Sequence, residues 1–286
     1  MSPDLLSLIV RAGAFVGLFQ AAGAVVFLSI FEHRLAHSGP GVRRLGIAAA
    51  LGAMALIAAH QLLEAARMAD EYAGMVDAAM HKLAMFSSSG AAHAAQLLGL
   101  ALLILGLRRS TRAGKVAASM GAMIVLLAFL LTGHTAVDAR RWLLAPLLAA
   151  HLAIVAFWFG ALAPLFMVVG RESREVAAWI LQRFSVIAGW LVPGIVVAGL
   201  AMAVLLAPDL AVLRRPYGEL LLVKLLGFGL LLGLAALNRW RWVPALADSQ
   251  SGSRAALRRS IAAEYLLIVA VLAVTATLTT FYSPDH

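Results

Sequence analysis

The residues in this chain best suited to chemistry are imidazoles set among apolar neighbours. His60, His93, His134 and His151 fall in or at the ends of four different hydrophobic runs. Neutral imidazole is the commonest protein ligand for transition metals. Four such rings converging from neighbouring helices would suit Cu(I), Cu(II) or Zn(II), and two of them could clamp a haem iron. The plainer alternative is that each ring bonds a carbonyl or hydroxyl on the next helix. His134 and His151 flank a short charged turn, which makes them a pair on one helical hairpin. His60 and Glu64 stand four residues apart, so they share a helical face. Glu64 there either orients the imidazole through its second nitrogen or pairs with Arg67.

A softer donor set lies nearby in Met68, Met75, Met80, His81 and Met85. Thioethers suit Cu(I). The competing role for Met68, Met80 and Met85 is the apolar face of an interfacial helix, where flexible Met packs readily. The chain has no Cys, so no thiolate can hold a metal and no disulfide can form. Arg11 and Lys224 fall inside apolar runs, where snorkelling or ion pairing accounts for them.

The elements that must position these groups are membrane helices. Of the 286 residues 63% are hydrophobic and 13% charged, against about half and about a quarter in a soluble domain. Eight segments are long enough to cross a bilayer, near 5–31, 45–69, 91–107, 115–133, 143–169, 176–206, 219–238 and 261–281. Backbone groups in lipid must be satisfied within each segment, so all eight are expected to be helices. The fold class is therefore all-α: an eight-helix membrane bundle, read as two four-helix halves, 1–140 and 141–286. No cleavable leader is evident, because Asp4 precedes the first run in place of a cationic stretch.

Alternate loops carry fifteen Lys and Arg residues, the opposite loops five. The positive-inside rule puts the richer set in the cytoplasm and both termini in the periplasm. The +9 net charge is thus topological, and nucleic acid is not an expected partner; the lipid bilayer is. In this orientation His60 and His151 lie about 13 Å below the outer surface, at 1.5 Å of rise per residue. Asp77 to Phe86 reads as a short amphipathic helix lying on that surface. Residues 239–260 read as a basic, mobile linker. No Walker or Rossmann glycine pattern is present, which argues against an ATP-driven pump, and the reading is of a carrier and not an enzyme.

Several stretches resemble a known family: G-H-T-A around His134, H-L-A-I-V-A-F-W-F-G from His151, R-F-S-V-I-A-G from Arg183, P-Y-G-E-L-L-L-V-K-L-L-G-F from Pro216 and L-N-R-W-R-W from Leu237. In this order they are similar to the CopD copper-resistance proteins of bacterial inner membranes, most strongly over Leu131 to Leu246. The resemblance implies copper handling, usually uptake across the inner membrane, often with a small periplasmic copper-binding partner of the CopC type. It carries over onto His134, His151 with Trp158 and Gly160, and Lys224. The chain departs from the family in lacking a His soon after Arg11 and in reading S-S-S-G-A-A-H from Ser87 to His93. The expectation is copper, as Cu(I) or Cu(II), held by His60, His134, His151 and His93, with Glu64, Met68, Met80, His81 and Met85 as lesser candidates. The alternatives are a b-type haem electron-transfer protein, and a copper-holding assembly or resistance factor that transports nothing.

Overall fold

A computed structural model describes residues 3–206 and 216–281. Among these residues there is no strand, and eight helices are long and apolar enough to cross a bilayer. The chain order is α1 (Pro3–Phe31), α2 (Gly39–Ala69), α3 (Ala78–Phe86), α4 (Ser88–Leu107), α5 (Arg112–Leu127), α6 (His134–Val137), α7 (Arg141–Arg171), α8 (Arg174–Leu206), α9 (Pro216–Leu237), α10 (Val243–Ala247) and α11 (Ser253–Phe281). The short α3 falls where the amphipathic helix was expected. The connection 207–215, with Arg214 and Arg215, lies outside the described residues, as do the side chains of His134 and Tyr217.

Local chemistry starts these helices. A helix leaves its first four N–H groups unpaired, and a side-chain oxygen just before it satisfies some of them. The Asp77 carboxylate accepts from Ala79 N at 2.7 Å and from Met80 N at 3.3 Å; Ser87 Oγ and Thr111 Oγ1 each accept from the N–H three residues on at 3.1 Å. Pro40 occupies the first turn of α2, where its missing N–H costs nothing.

α1 is the axis of the bundle. It packs against α2, α7, α5 and α11, and its Leu18, Phe27 and Phe31 are fully buried. The crossing with α7 is backbone on backbone: a Cβ placed on Gly23 would lie 2.3 Å from Gly160 Cα. Small residues permit this approach, which is how helices associate where lipid removes the hydrophobic drive. Gln20 Nε2 donates to Gly160 O at 3.0 Å beside that contact. One continuous buried cluster thus runs from α1 and α2 through α7 to α11. α8 and α9 sit at the periphery, with Val197, Leu200, Leu226 and Leu230 exposed along them.

Two segments depart from the sequence expectation. The fourth span stops at Leu131 and His134 begins a separate helical turn, α6. Thr132 is extended and Gly133 has φ +80°, a left-handed conformation that interrupts a right-handed helix and that Gly adopts freely. The supposed linker 239–260 is mostly helical. Asn238–Trp242 forms a π-helical turn, α10 follows, and α11 begins at Ser253. The cause is burial: Val243, Ala245 and Leu246 pack inward, α10 resting on α8, so two arginines in the sequence do not end the helix.

At the end of the bundle that carries the α1–α2 and α7–α8 connections, polar groups tie loops to helices. Glu172, 3% exposed, accepts from His37 N at 2.9 Å, Ser38 N at 2.7 Å and the Ser38 hydroxyl. Arg254 donates to the carbonyls of Val169 and Glu172 at 3.0 and 2.9 Å. Glu32 pairs with Arg43 and, at 2.6 Å, with Lys115.

Candidate metal centre

The structure brings two of the four histidines together. His60 lies on α2, nine residues before its end, and is 4% exposed. His93 lies on α4, just past its Ser87 cap. α3 folds the chain back between the two helices, which then pack side by side. The rings meet edge to face with centroids 5.1 Å apart, and His60 Nδ1 is 3.2 Å from His93 Nε2.

The outer nitrogen of each ring is backed by a residue of α2. His93 Nδ1 meets Gln61 Oε1, and His60 Nε2 faces Glu64 Oε1 at 3.7 Å. Two proton arrangements fit this chain of contacts, since the Gln61 amide nitrogen is itself buried without a partner and the amide can turn over. With the Gln61 carbonyl oxygen as acceptor, His93 carries its proton on Nδ1 and turns a bare Nε2 toward His60. His60 then donates from Nδ1. Its own Nε2 is left as a buried nitrogen without a hydrogen-bond partner. Moving that one proton from Nδ1 to Nε2, toward Glu64, would present two lone pairs to a single point between the rings. A carboxylate or amide behind each imidazole is the usual support of a metal-binding His.

The surrounding charges balance. Glu64 Oε1 also lies 3.3 Å from Arg67 Nη1, and Arg67 Nε is 2.8 Å from Asp4. Of the two roles set out for Glu64, the pairing with Arg67 is formed, while His60 Nε2 stays beyond hydrogen-bond distance at 3.7 Å. Arg11, beneath them on α1, donates to Thr279 O at 3.4 Å and Thr280 Oγ1 at 3.3 Å, tying α11 to the same end of the bundle.

The other described candidates lie elsewhere. His151 projects from α7 toward α8, its Cε1 3.9 Å from a Cβ built on Gly199, and its buried Nδ1 has no hydrogen-bond partner. His134 sits at the start of α6, and its side chain lies outside the described residues. His81 Nε2 turns back onto Met75 O at 2.6 Å within its own loop. Met68 and Met85 are exposed, and Met80 is half-buried. Among the described residues no three His, Asp or Glu side chains gather as one ligand set. The sequence reading missed Gln61, whose only signal was its position beside His60. It also missed Glu264, a lone acid four residues into the last expected span.

Residues 178–278 match the family described as Copper resistance protein D, CopD. No curated protein and no solved structure matches the chain. The matched stretch begins later and runs further than the Leu131 to Leu246 resemblance, covering most of α8, all of α9 and α10, and nearly all of α11. His60, His93 and His151 precede it. Eight apolar spans make the chain a multi-pass membrane protein, and its C-terminal part, residues 178–278, matches the CopD family.

Proposed function

We propose that the protein moves copper across the inner membrane of a bacterium, capturing the ion between His60 and His93 at the periplasmic end of the bundle. The observation that carries this reading is the 3.2 Å approach of two imidazole nitrogens whose far nitrogens are backed by Gln61 and Glu64. Two nitrogens each about 2 Å from a metal at a tetrahedral angle lie about 3.3 Å apart. The same bonds arranged in line, as on the two faces of a haem, need about 4 Å and a macrocycle between the rings, so the spacing suits a tetrahedral ion better than a haem, and the CopD match is what suggests copper as that ion. Copper of either oxidation state accepts imidazole.

His151, with its buried unpartnered Nδ1, is a separate later station on the route, ahead of the CopD domain. Met85 on α3 is exposed and Met75 and Met80 are half-buried; in this reading they would meet incoming ions or a CopC-type periplasmic donor. The charge bias of the loops supports a periplasmic position for this pair, and inward movement from there is the proposal. Ligand exchange between stations needs sites tight enough to capture and loose enough to release. Copper uptake into proteoliposomes containing the full chain tests the reading. Influx above protein-free vesicles that falls in His60→Ala and His93→Ala supports it. Copper bound at the same stoichiometry without influx would leave a copper-holding resistance factor.

A further inference from the structure

A second polar site lies in the opposite half of the bundle, inside the CopD domain and away from the histidines. A cavity of about 200 Å³ separates α7, α8, the π-helical turn after α9, and α11. Trp158, Phe184, Ser185, Asn238, Arg239 and Glu264 line it. Glu264 is only 3% exposed, and Asn238 is 8% exposed. The π-helical turn begins at Asn238 and places Asn238 and Arg239, adjacent in sequence, on one cavity. Such single-turn insertions are frequent at functional sites.

The partners of Glu264 are all neutral. Asn238 Nδ2 donates to its Oε1, and the Trp158 indole N–H donates to the same carboxyl group. Among the described residues no cation lies within ion-pair distance. Arg239, the other charged group of the cavity, gives its Nη1 to the Ser185 carbonyl at 2.9 Å. Arg258, on the same helix as Glu264, lies over the Phe166 ring at 4.2 Å. α1 carries no charge between Arg11 and Glu32. A carboxylate buried without a counter-charge is costly, and an ionisable group at membrane depth points to function. The Asn238 Oδ1 atom is buried with no partner. That atom is the acceptor a protonated Glu264 requires. The amide donates an N–H to the carboxylate and, turned over, accepts the O–H of the acid. The amide can therefore hydrogen-bond the Glu264 carboxyl group in either protonation state, leaving its other atom unpaired in each.

We propose that Glu264 is a proton-binding site, with Asn238 as its switchable partner and the cavity beside Arg239 as its path to water. Uptake adds a proton from water to a carboxylate oxygen, release returns it, and no other bond changes. The site stands independently of where copper binds.

Infrared difference spectroscopy between acid and alkaline buffer, on full-length copper-free protein in lipid, tests it. The wild type is expected to show a titrating carboxylic-acid C=O band, and Glu264→Gln to lose it while keeping its helical circular dichroism. Asn238→Ala should keep the band and move its midpoint. Should Glu264→Gln fail to fold, Glu264→Asp keeps an acid and must keep the band at an altered frequency. A band unchanged in Glu264→Gln, or no difference between wild type and Glu264→Asp, would overturn the proposal.

Discussion

The contact between Gly23 and Gly160 lends itself to a quantitative prediction. Replacing Gly23 with Ala puts a Cβ 2.3 Å from both Gly160 Cα and Ala156 O. Ordinary contact begins at 3.4 Å, so α1 and α7 must separate by roughly 1 Å. Both obstacles are backbone, so no side chain can swing away. Overpacking of this kind costs about 1–3 kcal/mol, and a rigid helix pair puts Gly23→Ala at or above the top of that range. The separation also strains the Gln20 Nε2 to Gly160 O bond, because the buried amide cannot follow both helices. Gly229→Ala is the control: it stands on α9 with nothing within 4 Å of the added methyl. There Ala should gain about 0.5–1 kcal/mol through its better helix propensity. Denaturant titration of the detergent-solubilised protein, followed by tryptophan fluorescence, reads both variants. Equal stability of Gly23→Ala and wild type would refute a backbone-on-backbone crossing at this point and would detach α1 from the core.

Other expectations follow from the same structure. Glu172 is pushed up by burial but pulled down further by the Ser38 hydroxyl and the Ser38, His37 and Ala36 amides, so its carboxyl titrates below the usual carboxylate range. Its stabilisation is then complete above that usual range and fades as pH falls through the lowered value; Glu172→Gln should cost roughly 1.5–3 kcal/mol near neutral pH and flatten the acid limb of a stability–pH profile. Asp77→Ala removes the cap of α3 and should cost that helix about 1 kcal/mol, seen as faster amide exchange over 78–86 with the spanning helices unchanged. Gln61→Leu removes the side chain that contacts His93 Nδ1 and should weaken copper binding 10–100-fold, while the lost hydrogen bond costs the metal-free form about 1 kcal/mol.

The spans were legible because each is about twenty apolar residues punctuated by charge, and α3 because Asp77 announces a helix start. The break before His134 was not legible: L-L-T-G-H reads as continuing apolar sequence, and one Gly in a left-handed conformation ends the helix there. The helix through Trp242 and Leu246 was hidden by Arg239 and Arg241, since charge marks a loop in sequence while burial on the other face decides the fold. Spacing places two residues on one face of one helix, as with His60 and Glu64. It does not say which helices adjoin. His134 and His151 are close in sequence, which is what suggests that pair, and the His134 side chain lies outside the described residues; the pair seen among the described residues joins α2 to α4 across 33 residues.

The most direct measurement is the copper content of the purified full-length protein after chelator washing, for wild type, His60→Ala and His93→Ala. Wild type should hold copper, and each substitution should remove it while the helical circular dichroism of the metal-free protein stays that of the wild type. Wild-type copper content in both variants would contradict a copper site between these two rings.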